Sequence, residues 1–125
     1  MIMKESEKGN LDMVKLLVEY GVDVNSTNKA GTSPLLLAST GNQIDTLRFL
    51  LQNGADAGIQ DKNGITALTV CAAKGYLDAA ALLIEHGADV NAKNRQGISA
   101  LDAATKQGHR HIMQLLTSAG AEQQK

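Results

Sequence analysis

Gly21, Gly54, Gly87 and Gly120 recur at one interval, and Gly31, Gly64 and Gly97 keep the same interval on a second track. The interval is about 33 residues, a length at which one supersecondary unit is repeated rather than a globule built once. A third track reads Ser33, Thr66 and Ser99, each followed two places on by Leu35, Leu68 or Leu101. Three tracks in phase across the chain restrict it to a stack. A single unit of this length cannot bury its apolar face alone, so each must lean on its neighbours, and the core becomes a row of contacts between units.

Within one interval the pattern predicts two short helices. Ser33 suits an N-cap and Pro34 the first helical position, where its missing N–H costs nothing. That helix should stop near Gly41-Asn42, since asparagine is second to glycine in a left-handed cap. Its partner is predicted over Ile44 to Gln52, with Leu47, Leu50 and Leu51 turned inward. The next interval repeats this with Thr66 as cap, Gly75 as stop and Leu82, Leu83 and Ile84 as core; the last uses Ser99, Gly108, Ile112, Leu115 and Leu116. Small residues at Ala38, Cys71, Ala72, Ala103 and Ala104 let adjacent helices approach closely. At the start, Met1 to Gly9 occupy the place of a first helix without the turn that should precede it, and Ile2 stands in the column of Leu35. A second helix follows through Leu11, Val14, Leu17 and Val18 to Gly21. An end helix has one packed face, so little loss is expected on truncating Ile2. At the other end, Arg110, His111, Gln114 and Thr117 make the last second helix polar, as a terminal unit requires. The tail Glu122 to Lys125 is expected to be loose.

The columns Gly64-x-Thr66-x-Leu68 and Gly87-Ala88-Asp89-Val90-Asn91 resemble the ankyrin repeat. The resemblance covers almost the whole chain and implies an all-α, ankyrin-repeat solenoid of stacked helix-turn-helix units joined by turn loops. It implies one domain, 1–125, with units at about 1–27, 28–60, 61–93 and 94–125. The family's Thr-Pro-Leu-His motif stands here as Ser33-Pro34-Leu35-Leu36, Thr66-Ala67-Leu68-Thr69 and Ser99-Ala100-Leu101-Asp102. Its histidine, which links neighbours by hydrogen bonds in the family, is missing from every copy, and this bears on stability rather than fold. Asn25 and Asn91 match the family's asparagine after Gly-x-Asp-Val, whereas Gly58 breaks the match.

Several function classes are disfavoured. The net charge is −1 with both signs mixed throughout, and Tyr20, Phe49 and Tyr76 are the aromatic residues, which leaves no platform for stacked bases. Nucleic acid is therefore not an expected partner. No apolar run approaches the roughly 18 residues of a membrane span, and the charged start is unlike a secretory leader, so a soluble, cytoplasmic chain is expected. Cys71 shares a column with Ala38 and Ala104 and reads as a small core residue, compatible with a reducing compartment. The run from Asp23 has Asn28 and Pro34 where a calcium loop needs glycine and glutamate. His109 and His111 point to different sides of a helix and cannot chelate as a pair four apart would. No phosphate-binding loop, nucleophile elbow or dinucleotide fingerprint occurs, so no enzyme activity, cofactor or metal is expected. The sequon Asn25-Ser26-Thr27 is read as incidental.

What remains is surface. In such a stack the turn tips and the exposed side of each first helix form a concave strip, and by register it carries Lys29, Thr32, Lys62, Asn63, Ile65, Lys74, Arg95, Gln96, Ile98 and Lys106. Lys29, Lys62 and Arg95 share one column, Lys74 and Lys106 another, and Ile65 and Ile98 are expected as exposed apolar points beside them. Asp12, Asp45 and Asp78 sit near second-helix N-termini, where the helix dipole accounts for them. The resemblance implies a protein–protein interaction module. The strip suggests an acidic or phosphorylated segment of a protein partner, held by a monomer. The alternatives are self-association through the open N-terminal end, or a regulatory fragment of a larger multidomain protein.

Overall fold

The computed structural model describes residues 2–121 and is all-helical: α1 (Ile2–Lys8), α2 (Leu11–Glu19), α3 (Pro34–Thr40), α4 (Ile44–Gln52), α5 (Ala67–Lys74), α6 (Leu77–Glu85), α7 (Ala100–Gln107) and α8 (Arg110–Ser118). Turns as short as Gly75-Tyr76 and Gly108-His109 join the members of each pair, which makes them antiparallel neighbours. First helices pack on first helices in the order α1, α3, α5, α7, and second helices form a parallel layer α2, α4, α6, α8. Among the described residues strand pairing is confined to one antiparallel bridge between Lys93 and Ser99. The polar tail at Glu122–Lys125 lies outside the described residues.

Side-chain caps explain where α3, α5 and α7 start. Ser33 Oγ accepts from Leu36 N at 3.2 Å and Thr66 Oγ1 from Thr69 N at 3.2 Å. Ser99 Oγ accepts from Asp102 N while Asp102 Oδ2 accepts from Ser99 N, a reciprocal box. Each cap contributes about 1 kcal/mol, which matters for helices too short to persist alone. α5 and α7 end on left-handed Gly75 and Gly108; α3 reaches the same geometry with Asn42 at φ 54°.

Between the layers lies a continuous apolar row. Leu35, Leu47, Leu50, Leu68, Leu83, Ile112 and Leu116 are buried, with Ala38, Cys71, Ala72, Ala79, Ala80 and Ala104 filling the narrow spaces between helices. Leu82 is buried, while Ile84 and Leu115 are half-buried at the edge of the row. Ile2 is 4% exposed, so α1 is seated on α3 and α2 rather than frayed.

Candidate functional site

Each turn tip is built round one Asx residue. Asn28 Oδ1 accepts from Ala30 N and Thr32 N, Asp61 Oδ1 from Asn63 N and Ile65 N, and Asn94 Oδ1 from Gln96 N and Ile98 N, all at 2.8–3.0 Å. The backbone N–H groups of these Asx residues donate to Thr32 O, Ile65 O and Ile98 O, closing the tip from below. Neighbouring tips are then joined directly: Lys62 N donates to Ala30 O at 3.0 Å and Arg95 N to Asn63 O at 2.9 Å. This ladder fixes the register of the surface above it.

Of the residues expected on the strip, Lys29, Lys62, Asn63, Arg95, Gln96 and Lys106 are exposed. Thr32, Ile65 and Ile98 are not at the crest. Both backbone groups of each are tied to the Asx residue, which holds them at the base of the tip, and all three are half-buried. Ile65 in addition packs against the core, so it is no free apolar point. Lys74 is exposed but engaged: its ammonium donates to Thr40 O at 3.3 Å and lies 6.0 Å from the centre of the Tyr76 ring. The strip thus reduces to three tip cations, Lys29, Lys62 and Arg95, with Lys106 on α7.

The role of Lys74 belongs to a set of ties that motif reading missed. Gln43 Nε2 donates to Glu7 O, and His109 Nε2 lies 3.1 Å from Ala73 O. Both side chains start just before a second helix and reach the last turn of the preceding unit's first helix. Tyr76 holds that column in the third unit, and Lys74 makes the tie to Thr40 O in its place. Meanwhile the residues standing where the motif histidine is missing stay local: the Thr69 and Thr66 hydroxyls are 3.1 Å apart, and Asp102 caps α7.

A second set of ties runs below the tips. Asn25 Nδ2 donates to Gly54 O at 3.0 Å and Asn25 Oδ1 accepts from Asp56 N at 2.8 Å; Asn91 Nδ2 reaches Gly120 O at 3.3 Å. With both ends of its amide used, Asn25 is a poor acceptor for a glycan. Gly58 occupies the same column without a side chain, and a cleft of about 310 Å³ opens there between Gly58, Gln60, Thr66, Leu68, Ala88 and Asp89. Gly58 has no positive φ, and an added Cβ would meet only the Asp56 carboxylate oxygen at 3.3 Å. Gly58→Asn is therefore expected to stabilise the chain by about 1–2 kcal/mol, from a stiffer unfolded chain and the restored bridge. Urea titration checks this: Gly58→Ala should give only the backbone part, and an Asn variant no better than Ala would show that the bridge does not form.

Cys71 is fully buried, and burial pushes its thiol up to about 12 despite a hydrogen bond with Ser39 and the nearby Lys74 charge. A thiol so disfavoured as thiolate is a packing group. Among the described residues no group of three or more His, Cys, Asp and Glu could hold a metal ion, and no helix is long and apolar enough to cross a membrane. Compared with known proteins, the chain matches the family model for ankyrin repeats over residues 1–61 and 41–125, in three copies. No curated protein matches it.

Proposed function

The chain belongs to the ankyrin repeat family, whose repeats are in general protein–protein interaction modules and typically non-enzymatic scaffolds, and from that premise we propose that it holds an acidic or phosphorylated protein segment across its turn tips. The observation that carries the reading is the tip ladder, in which Lys62 N and Arg95 N bond to the preceding tip. It keeps Lys29, Lys62 and Arg95 on successive exposed tips, so an extended anionic chain lying along the stack meets one cation per unit. Asn63 and Gln96, exposed beside them, supply side-chain donors and acceptors. Such a surface binds and orients an anionic segment. In this reading the four units act as one domain, in a reducing compartment such as the cytoplasm, where the buried Cys71 stays a thiol.

Binding of this kind should be electrostatic in rate and salt response. The test is fluorescence anisotropy with a labelled peptide of alternating aspartate and phosphoserine, at low and at physiological ionic strength. Reversing Lys62 and Arg95 together to glutamate should weaken binding at least about tenfold and flatten its salt dependence, with an unchanged melting temperature. Equal affinity and equal salt slope in the two proteins would remove the tip strip as the binding face.

A further inference from the structure

Three loops share one backbone pattern, and only two of them carry the side chain that uses it. Asn25 N donates to Asp23 Oδ1 at 2.9 Å, Gly58 N to Asp56 Oδ1 at 2.8 Å and Asn91 N to Asp89 Oδ1 at 2.9 Å. The loop at Gly58 is thus the loop of Asn25 and Asn91 with the carboxamide removed. The backbone that should receive the amide is kept. Asn25 bridges Gly54 O and Asp56 N, and one repeat later their counterparts are Gly87 O and Asp89 N. Gly54 and Gly87 stand at φ 93° and 88°, and the residue after each donates the same closing bond, Ala55 N to Leu50 O and Ala88 N to Leu83 O. Among the described residues no hydrogen bond reaches Gly87 O or Asp89 N. Ala88 and Asp89 line the same cleft of about 310 Å³ as Gly58. Gln60 lines it too, but its Nε2 is spent on Gly64 O and Lys93 O, so it does not stand in for the missing amide.

We infer that this cleft is a docking site for a primary carboxamide, the asparagine or glutamine side chain of a protein partner, which supplies from outside the bridge that Asn25 makes within the chain. Asn25 identifies the occupant, because its amide spans the equivalent acceptor and donor at 3.0 and 2.8 Å. Such a bridge needs a C=O and an N–H on the same side of one planar amide. The NH2 of a primary amide offers that N–H, whereas the N–H of a trans peptide bond points away from its own C=O. A partner's backbone therefore does not fit the pair, and its amide side chain does. A carboxylate is unsuited as well, since one oxygen would face Gly87 O beside the Asp89 carboxylate, and none of these groups can donate. Leu68, Ala88 and Ala92 line the cleft and offer apolar wall to the methylene stem. Two bonds of this kind add little affinity, but a partner without the amide would cover the pair and leave it unsatisfied, so the site selects more than it holds. The source of the amide rests on the interaction-module reading above, and none of the tip cations takes part.

Proton–nitrogen correlation NMR of the full chain, with propionamide as the probe, tests this. The Asp89 N–H signal should shift saturably as propionamide is added, while Asp56 N–H, already bonded to Asn25 Oδ1, should stay in place. N-methylpropionamide, whose N–H is turned away from its C=O, and propionate should each shift Asp89 at least about fivefold less at the same concentration. In Gly58→Asn the new side chain fills the site, so the response to propionamide should be lost. Reversing Lys62 and Arg95 to glutamate should leave that response unchanged, which keeps a failure of this site distinct from a failure of the tip strip. A shift at Asp56 equal to that at Asp89, a response to N-methylpropionamide or propionate as large as that to propionamide, a shift that never saturates, or a Gly58→Asn protein that responds like the original would each overturn the inference.

Discussion

Truncation of Leu83 to alanine should destabilise the chain by about 2–5 kcal/mol, the range for a buried leucine that leaves a cavity. Leu83 is 0% exposed on α6, which packs on α4, α5 and α8. The neighbourhood has little room to collapse. Ala79 and Ala80 of the same helix are already fully buried, and α5 beside it is held by the Thr66 cap and the Lys74 tie. The upper half of the range is therefore expected. Leu68, 1% exposed on α5, should behave alike, whereas Leu16→Ala should fall within about 0.5 kcal/mol, as surface changes do. Denaturant titrations of the three variants check this, and a loss below about 1 kcal/mol at Leu83 would show that the units do not share one core. Ile2 changes sides in this comparison. Its place in an end helix predicts a small loss, but at 4% exposure its truncation should cost nearly what an interior one does.

That reversal shows where sequence reading stops. Caps, stops and helix bounds were legible because each depends on residues within one turn of each other: Ser33 with Leu36, Gly75 after Lys74, and Ile44–Gln52 as one apolar period. Contacts between units depend on how far one repeat is displaced from the next, which periodicity does not specify. Ile65 looked free because no neighbour within its own motif needs it, yet the Asp61 closure holds it against the core. Lys74 looked like one more cation of the strip until Tyr76 proved to occupy the column of Gln43 and His109 without making their tie. The signal was present in register: a residue that breaks its column deserves a search of the adjacent positions for a substitute.

Gly64→Ala should cost about 2–4 kcal/mol, although the position lies on a turn tip remote from the leucine row. Gly64 stands at φ +77°, where a side chain costs about 1–2 kcal/mol in any surroundings. A Cβ there would also lie 3.0 Å from Asn94 Cα and 3.1 Å from Arg95 N, which are backbone atoms of the next tip and cannot swing away. To admit the methyl the two tips must part, and the Arg95 N to Asn63 O bond, net about 1 kcal/mol, lengthens or breaks. Gly97 separates these causes. It has nearly the same dihedral, φ +78°, but nothing stands within 4 Å of its would-be Cβ, so Gly97→Ala should lose only the backbone part. The difference between the two variants, about 1–2 kcal/mol in denaturant titrations, measures the contact between tips. It also separates stability from recognition, because parting the tips moves Arg95 away from Lys62 while leaving both charges in place. Gly64→Ala should therefore weaken binding of the phosphoserine peptide more than Gly97→Ala does, at temperatures where both proteins are folded. Equal losses in stability would mean that the tips do not bear on each other, and the cations of the strip would then have no common register to offer a partner.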